Sequence, residues 1–176
     1  MEPDLRYPIG NYQRVAKLTP AEASACIDAI AETPSRLAAA VEGLTDKQLD
    51  TPYRPGGWTV RQVVHHLPDS HLHSYTRFKF AFTEKVPQIK AYDEATWAET
   101  LEARTAPIDM SLTLLDGLHR RWVAFIRSLS PADLARTYRY PERGAVSLEE
   151  NLALYAWHGR HHVAHITALR KRNGWT

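Results

Sequence analysis

Cysteine is almost missing from this chain. Cys26 is the one cysteine among 176 residues, so no internal disulfide can staple the fold, and a reducing compartment is implied. There is no apolar run of the length, about 18 residues or more, that a membrane-spanning helix needs. The opening residues also lack the charged, apolar, small-residue order of a secretory leader, so the expectation is a cytoplasmic protein with no membrane partner. An excess of one charge is missing too. The 22 lysines and arginines stand against 20 acids, a net charge of +2 with histidines neutral. The two signs are interleaved, which argues against nucleic acid as a partner. Neither a GxSxG elbow nor a cysteine-centred signature occurs, which argues against catalysis through a serine or cysteine nucleophile. Cys26 lies among alanines and isoleucines and reads as a small buried hydrophobe. No repeat, low-complexity segment or interdomain linker divides the chain. With 44% apolar residues, residues 1–176 are expected to form one domain with its own core, preceded by an extended arm over 1–18.

What the chain has in quantity is histidine. Four of its nine histidines fall within the segment Tyr155-Ala-Trp-His158-Gly-Arg-His161-His162-Val-Ala-His165-Ile166. At the helical angle, Leu148, Leu152, Tyr155, Ile166 and Leu169 form one apolar stripe, with His162 within about 25° of its centre and His158 about 65° away. His161 and His165 lie nearer the flank. His158 and His162 are therefore the inward pair, four residues apart, and imidazoles at that spacing can converge on one cation, as HExxH helices do for zinc. The alternative is a pair of core histidines satisfied by hydrogen bonds. Two buried rings without partners would cost about 1–3 kcal/mol each, so the cluster needs a polar network, water or an ion. This helix alone leaves both readings open.

Four periodic segments predict an all-α fold of four main antiparallel helices, at about 19–43, 59–84, 110–129 and 147–172. Thr19-Pro20-Ala-Glu22 caps the first, and Pro34 should kink or split it. A second box, Thr45 with Gln48, opens a short turn. Thr59 with Gln62 caps the second long helix, whose stripe is Val60, Val63, Val64, Leu67 and Phe78. His66 lies on an edge of that stripe, His65 points to the opposite face, His71 lies on the stripe and His73 falls off it. Pro68 should bend this helix beside His66. Between 84 and 107 the pattern weakens to a long loop with one helical turn or two. Leu112, Leu115, His119, Trp122, Ile126 and Leu129 then make a bundle seam, with His119 inside it either as a cross-bundle hydrogen-bonding group or as support for a metal ligand. Ser130 with Asp133 caps a short turn, a small hairpin fits at 138–147, and Ser147 with Glu150 forms the box that opens the histidine helix, which Asn173-Gly174 closes.

These motifs resemble one family. Tyr7-Pro-Ile-Gly10, Leu49-Asp-Thr-Pro-Tyr-Arg54, Gly56-Gly-Trp-Thr-Val-Arg-Gln-Val-Val-His-His-Leu67, Asp69-Ser-His71, Trp157-His158 and His161-His162-Val-Ala-His-Ile-Thr167 together span nearly the whole chain. They look like the YfiT-like branch of the DinB superfamily, four-helix bundles with a three-histidine metal site. The resemblance implies His66, His158 and His162 as metal ligands, the same histidines that face inward by period. Pro68 departs from the small residue expected there.

Three nitrogen ligands leave an open position on one divalent ion per chain, as in catalytic sites. All-histidine ligation admits zinc first, and nickel, iron, manganese or copper besides. The family is described in terms of metal-dependent hydrolysis through activated water, while relatives in the superfamily transfer low-molecular-weight thiols to electrophiles, and the YfiT-like branch resembles a bacillithiol S-transferase. S-transfer is the expected activity, with a hydrolysable substrate as the alternative and a non-catalytic metal-binding bundle as a third reading. The resemblance also implies a homodimer. No side chain emerges as general acid or base; Asp69 fits an exposed acid better than an orienting group.

Overall fold

The computed structural model describes residues 4–141 and 143–175. Along the chain these form α1 (Pro20–Val41), α2 (Asp46–Leu49), α3 (Val60–Thr83), α4 (Glu94–Ala98), α5 (Leu101–Thr105), α6 (Ile108–Arg127), α7 (Pro131–Leu134), β1 (Thr137–Tyr140), β2 (Gly144–Ser147) and α8 (Leu148–Asn173). The caps are where the sequence puts them. Thr19, Thr45, Thr59 and Ser130 each accept from the backbone three residues on, and the side chain there reaches back to close the box. At α8 only half of the box forms. Ser147 accepts from the Glu150 amide at 3.0 Å, but the Glu150 carboxylate turns to Arg14 at 2.8 Å. Gly174 closes α8 in the left-handed region, with φ 62°. The long loop holds two short helices, and α6 begins directly after Pro107. The hairpin pairs Thr137 with Ser147 and Tyr140 with Gly144, and the loop joins it through Ile89, whose amide donates to the Arg139 carbonyl at 3.0 Å.

Helix directions depart from the expected antiparallel bundle. His65 meets Ser111 and His71 meets His119, so α3 and α6 run parallel. Arg170 at the end of α8 donates to the carbonyls of Ala40 and Glu42 at the end of α1, so these two are parallel as well. Contacts from Ser74 to Asn151 and from His66 to His158 make α3 and α8 antiparallel. The order is up, down, down, up. Its cause is the connection over 84–107, long enough to carry the chain back along the bundle, so that α6 starts at the same end as α3.

Two apolar clusters fill the interior. One gathers Ile30, Phe78, Trp122, Leu148, Leu152 and Tyr155. The other gathers Leu37, Val63, Leu67, Leu115, Ile166 and Leu169. Every long helix contributes to both, and at the change-over each carries polar groups: Thr33 on α1, His66 and His71 on α3, His119 on α6, His158 and His162 on α8. A layer of imidazoles thus separates two halves of the core. Neither proline splits its helix. Pro34 and Pro68 lie inside unbroken α1 and α3, each removing a single backbone donor. The arm lies on α8, where the Tyr12 hydroxyl donates to the Glu150 carbonyl and the Leu18 amide donates to Glu149 Oε1. Among the described residues no helix is long and apolar enough to cross a membrane.

At Gly159 the contact of α8 with α1 depends on a missing side chain. A Cβ on Gly159 would lie 2.5 Å from Thr33 Oγ1 and 2.8 Å from Thr33 Cγ2. Gly159→Ala should therefore destabilise the fold: overpacking costs about 1–3 kcal/mol, more than the roughly 1 kcal/mol gained in helix propensity. Chemical denaturation should show that loss, and Thr33→Ala in the same chain should recover most of it. A more stable single variant would contradict the packing.

Candidate metal centre

Helices α3 and α8 bring three of the histidines together. The available nitrogens of His66, His158 and His162 all lie within 4.8 Å of one another. His66 Nε2 and His158 Nε2 are 3.4 Å apart. Two nitrogens at about 2.05 Å from a tetrahedral ion would be separated by about 3.3 Å, so the spacing fits a shared cation. All three rings line one cavity of about 450 Å³, whose wall also includes Trp58, Tyr92 and Tyr155. Trp58 packs on His66 and His162 with ring centroids 4.7 and 6.3 Å away.

The lone pair of His158 follows from a chain of hydrogen bonds. His119 Nδ1 lies 2.7 Å from the Ile30 carbonyl oxygen. A carbonyl only accepts, so His119 carries its proton on Nδ1 and leaves Nε2 as an acceptor. His71 Nδ1, 2.8 Å away, must then donate to it, and His71 Nε2 becomes an acceptor in turn. His158 Nδ1 donates to that nitrogen at 3.0 Å. What remains on His158 is a bare Nε2 facing His66 and the cavity. The chain begins at Ile30 because Pro34, four residues on, has no N–H to offer that carbonyl.

The profile of the DinB superfamily matches residues 29–166. The chain belongs to this superfamily. A relative from Bacillus mycoides (strain KBAB4), named "putative metal-dependent hydrolase", is 55% identical over 172 residues, 98% of this chain and 99% of its own. One of the same name from Bacillus cereus (strain B4264) is 53% identical over the same coverage. Among solved structures, YfiT from Bacillus subtilis, described as a probable metal-dependent hydrolase with an unusual four-helix bundle topology, superposes with a TM-score of 0.95 at 48% identity, covering 98% of this chain and 99% of that one. The four-helix bundle protein TT2238 shares the fold, with a TM-score of 0.58 at 19% identity over 83% of this chain.

The other histidines of this DinB bundle have separate tasks. His65 faces α6, where Nε2 donates to the Ala106 carbonyl at 3.1 Å and Nδ1 accepts from the Ser111 hydroxyl at 2.7 Å. His73 stacks on Tyr92 with centroids 4.1 Å apart. His161, His162 and His165 form a second close group. His165, however, donates from Nε2 to the Arg6 carbonyl at 3.0 Å and stacks on Tyr53, and His161 stacks on Trp157. These two anchor the arm rather than open onto the cavity. Both are buried, deeper than the flank position that the helical period suggests. Asp69 is half-buried and makes no hydrogen bond to the three cavity histidines among the described residues; burial, and the nearby Glu102 carboxylate, push its pKa up to about 6. The residues that sequence reading passed over are Arg77, Tyr92, Asn151 and Tyr155 as parts of the cavity wall. The signal for Arg77 was present as a polar line of Ser70, Ser74 and Arg77, three and four residues apart on one face of α3.

Burial holds the layer neutral. It pushes His66 down to about 3, with a smaller contribution from His161, and His119 down to about 4. His71, His158 and His162 lie well below the usual range, from burial first and then from neighbouring imidazoles. The unfolded chain takes up protons near pH 6.5, before these rings do, so the layer's stability is present above that pH and lost as the pH falls. Each such ring removes roughly 1 kcal/mol per pH unit. Five together exhaust the ordinary stability of a domain, about 5–15 kcal/mol, within about two or three units. Chelator-treated protein followed by circular dichroism should unfold between about pH 3.5 and 4.5; a cooperative fold retained down to about pH 3, where His66 itself takes up its proton, would contradict this.

Proposed function

We propose that His66, His158 and His162 hold one divalent ion and that the protein is a metal-dependent enzyme acting on a small molecule in the adjoining cavity. The observation that carries this reading is the bare Nε2 of His158, fixed by three successive hydrogen bonds and set 3.4 Å from that of His66. Neutral ligands leave the full charge of a dication on the site, zinc or nickel among the candidates, and such an ion lowers the pKa of whatever small acid shares its coordination. A thiol starts near pKa 8.5 and water near 15.7, so a thiol ionises first. The reaction we favour is S-transfer: the thiol sulfur gives its electron pair to an electrophilic carbon, a C–S bond forms, and the leaving group departs with the pair of the broken bond. The protein's own residues bind and orient. Trp58 covers the histidines, the buried layer excludes water, and His71 and His119 keep His158 in one tautomer. Hydrolysis is the second reading, favoured by the names of the relatives above. A homodimer belongs to the same proposal, with Leu101, Met110 and Leu114 as exposed apolar surface; light scattering giving a 20.0 kDa particle would remove it.

Two measurements test the centre. His162→Ala should lose stoichiometric metal with helical content nearly intact, because a formed bundle does not need the ion to fold. His119→Ala, which touches no ligand, should weaken metal binding about ten- to a hundredfold, while His119→Gln, still able to donate and accept, should keep more of it. Unchanged metal content in both alanine variants would refute the assignment.

The nucleophile is read separately. Holoprotein with monochlorobimane should give metal-dependent conjugation with bacillithiol, mycothiol, glutathione or cysteine. Ester or amide hydrolysis without any conjugation would establish the hydrolytic reading instead.

A further inference from the structure

The cavity contains a second unusual group, on the wall away from the histidines. Arg77 is only 6% exposed, and buried arginines are ordinarily paired. The other buried arginine of this chain obeys that rule: Arg61 donates to Asp50 at 2.7 Å, to Asp46 at 2.9 Å and to the Ala106 carbonyl at 3.0 Å. Arg77 has no such set. Its Nη1 donates to the Tyr155 hydroxyl at a long 3.4 Å, its Nε is buried without an acceptor, and the Tyr140 ring lies 5.1 Å from its guanidinium carbon. Among the described residues no carboxylate lies within 4.0 Å of it. Glu150, a buried acid on the same cavity, is committed to Arg14 at 2.8 Å, and Glu94 on the rim is exposed.

We propose that Arg77 is the receptor for a carboxylate on the substrate, so that the molecule taken by this cavity is a small carboxylic acid whose reacting group lies at the histidine end. Tyr155 sets the arrangement. Its ring is 5.3 Å from that of His158 while its hydroxyl meets Arg77, so one ligand can span both groups. One buried charge matches a monoanion, and the guanidinium fork fits the two oxygens of a carboxylate. The remaining cationic side chain of the wall, Arg143, is exposed and adds little in water. The proposal rests on the metal reading for the position of the reacting group, but the charge recognition stands without it.

Binding titrations separate the two. On the full-length protein as purified, hexanoate should bind at least tenfold more tightly than hexanamide, and Arg77→Met should bring that ratio to within threefold of one. Arg77→Lys, which keeps the charge but not the fork, should give an intermediate ratio. On metal-loaded protein, a series of monohydroxamates from succinic to suberic acid should include at least one that binds tenfold or more tightly than its uncharged alkyl hydroxamate. Equal binding of acid and uncharged twin throughout both series in the wild type overturns the role of Arg77, whether or not Arg77→Met folds. Hydroxamates that fail to bind while hexanoate keeps its preference would leave Arg77 in place and remove the metal reading.

Discussion

The hydrogen bond from His119 to the Ile30 carbonyl is the contact on which the order of the interior depends. In an ordinary helix that carbonyl would be occupied by the amide four residues on. Pro34 has no amide hydrogen, and the vacancy is filled from a different helix. Because the acceptor can never donate, the protonation of His119 is fixed, and the fixed state passes through His71 to His158. A residue that sequence rules treat as a helix breaker thus sets the chemistry of a nitrogen on α8. The cost to α1 is a single bond, which is why the helix continues.

Topology makes this contact possible. The chain from Ile30 to His158 crosses from α1 to α6, α3 and α8, touching all four long helices at one level. The long connection over 84–107 returns the chain to the starting end of α3, so that α6 can run beside it with His119 level with His71. The same segment then lays Tyr92 over His73 and pairs with the hairpin that starts α8. The loop therefore forms part of the cavity wall as well as a link.

Much of this was legible in the residues. Caps and periodicity located the four long helices within a few positions and left His66 and His71 on 59–84, and His158 and His162 on 147–172, able to face inward; the resemblance to the family chose His66, His158 and His162, whose nitrogens lie within 4.8 Å of one another. Direction was not legible, since a stripe of apolar residues reads the same either way along a helix. Nor was the effect of Pro34, because a proline announces the donor it removes but not the distant group that takes the freed acceptor. Glu150 shows the opposite limit: its position fits a capping box, and only the folded arm supplies the arginine that draws it away. For Arg77 the polar line on one face of α3 was there to be read, but the burial of its charge depends on neighbours from other elements and cannot be read from one helix.

The imidazole layer also fixes how the helices may slide. In a uniformly apolar bundle, a shift of one turn exchanges one leucine for another at small loss. Here a one-turn slip of α6 would carry His119 in among apolar side chains and leave the Ile30 carbonyl and His71 Nδ1 without partners, each a buried polar group that costs about 1–3 kcal/mol when unpaired. The layer serves as a tooth between two smooth surfaces, and the register of the whole bundle is set at its middle.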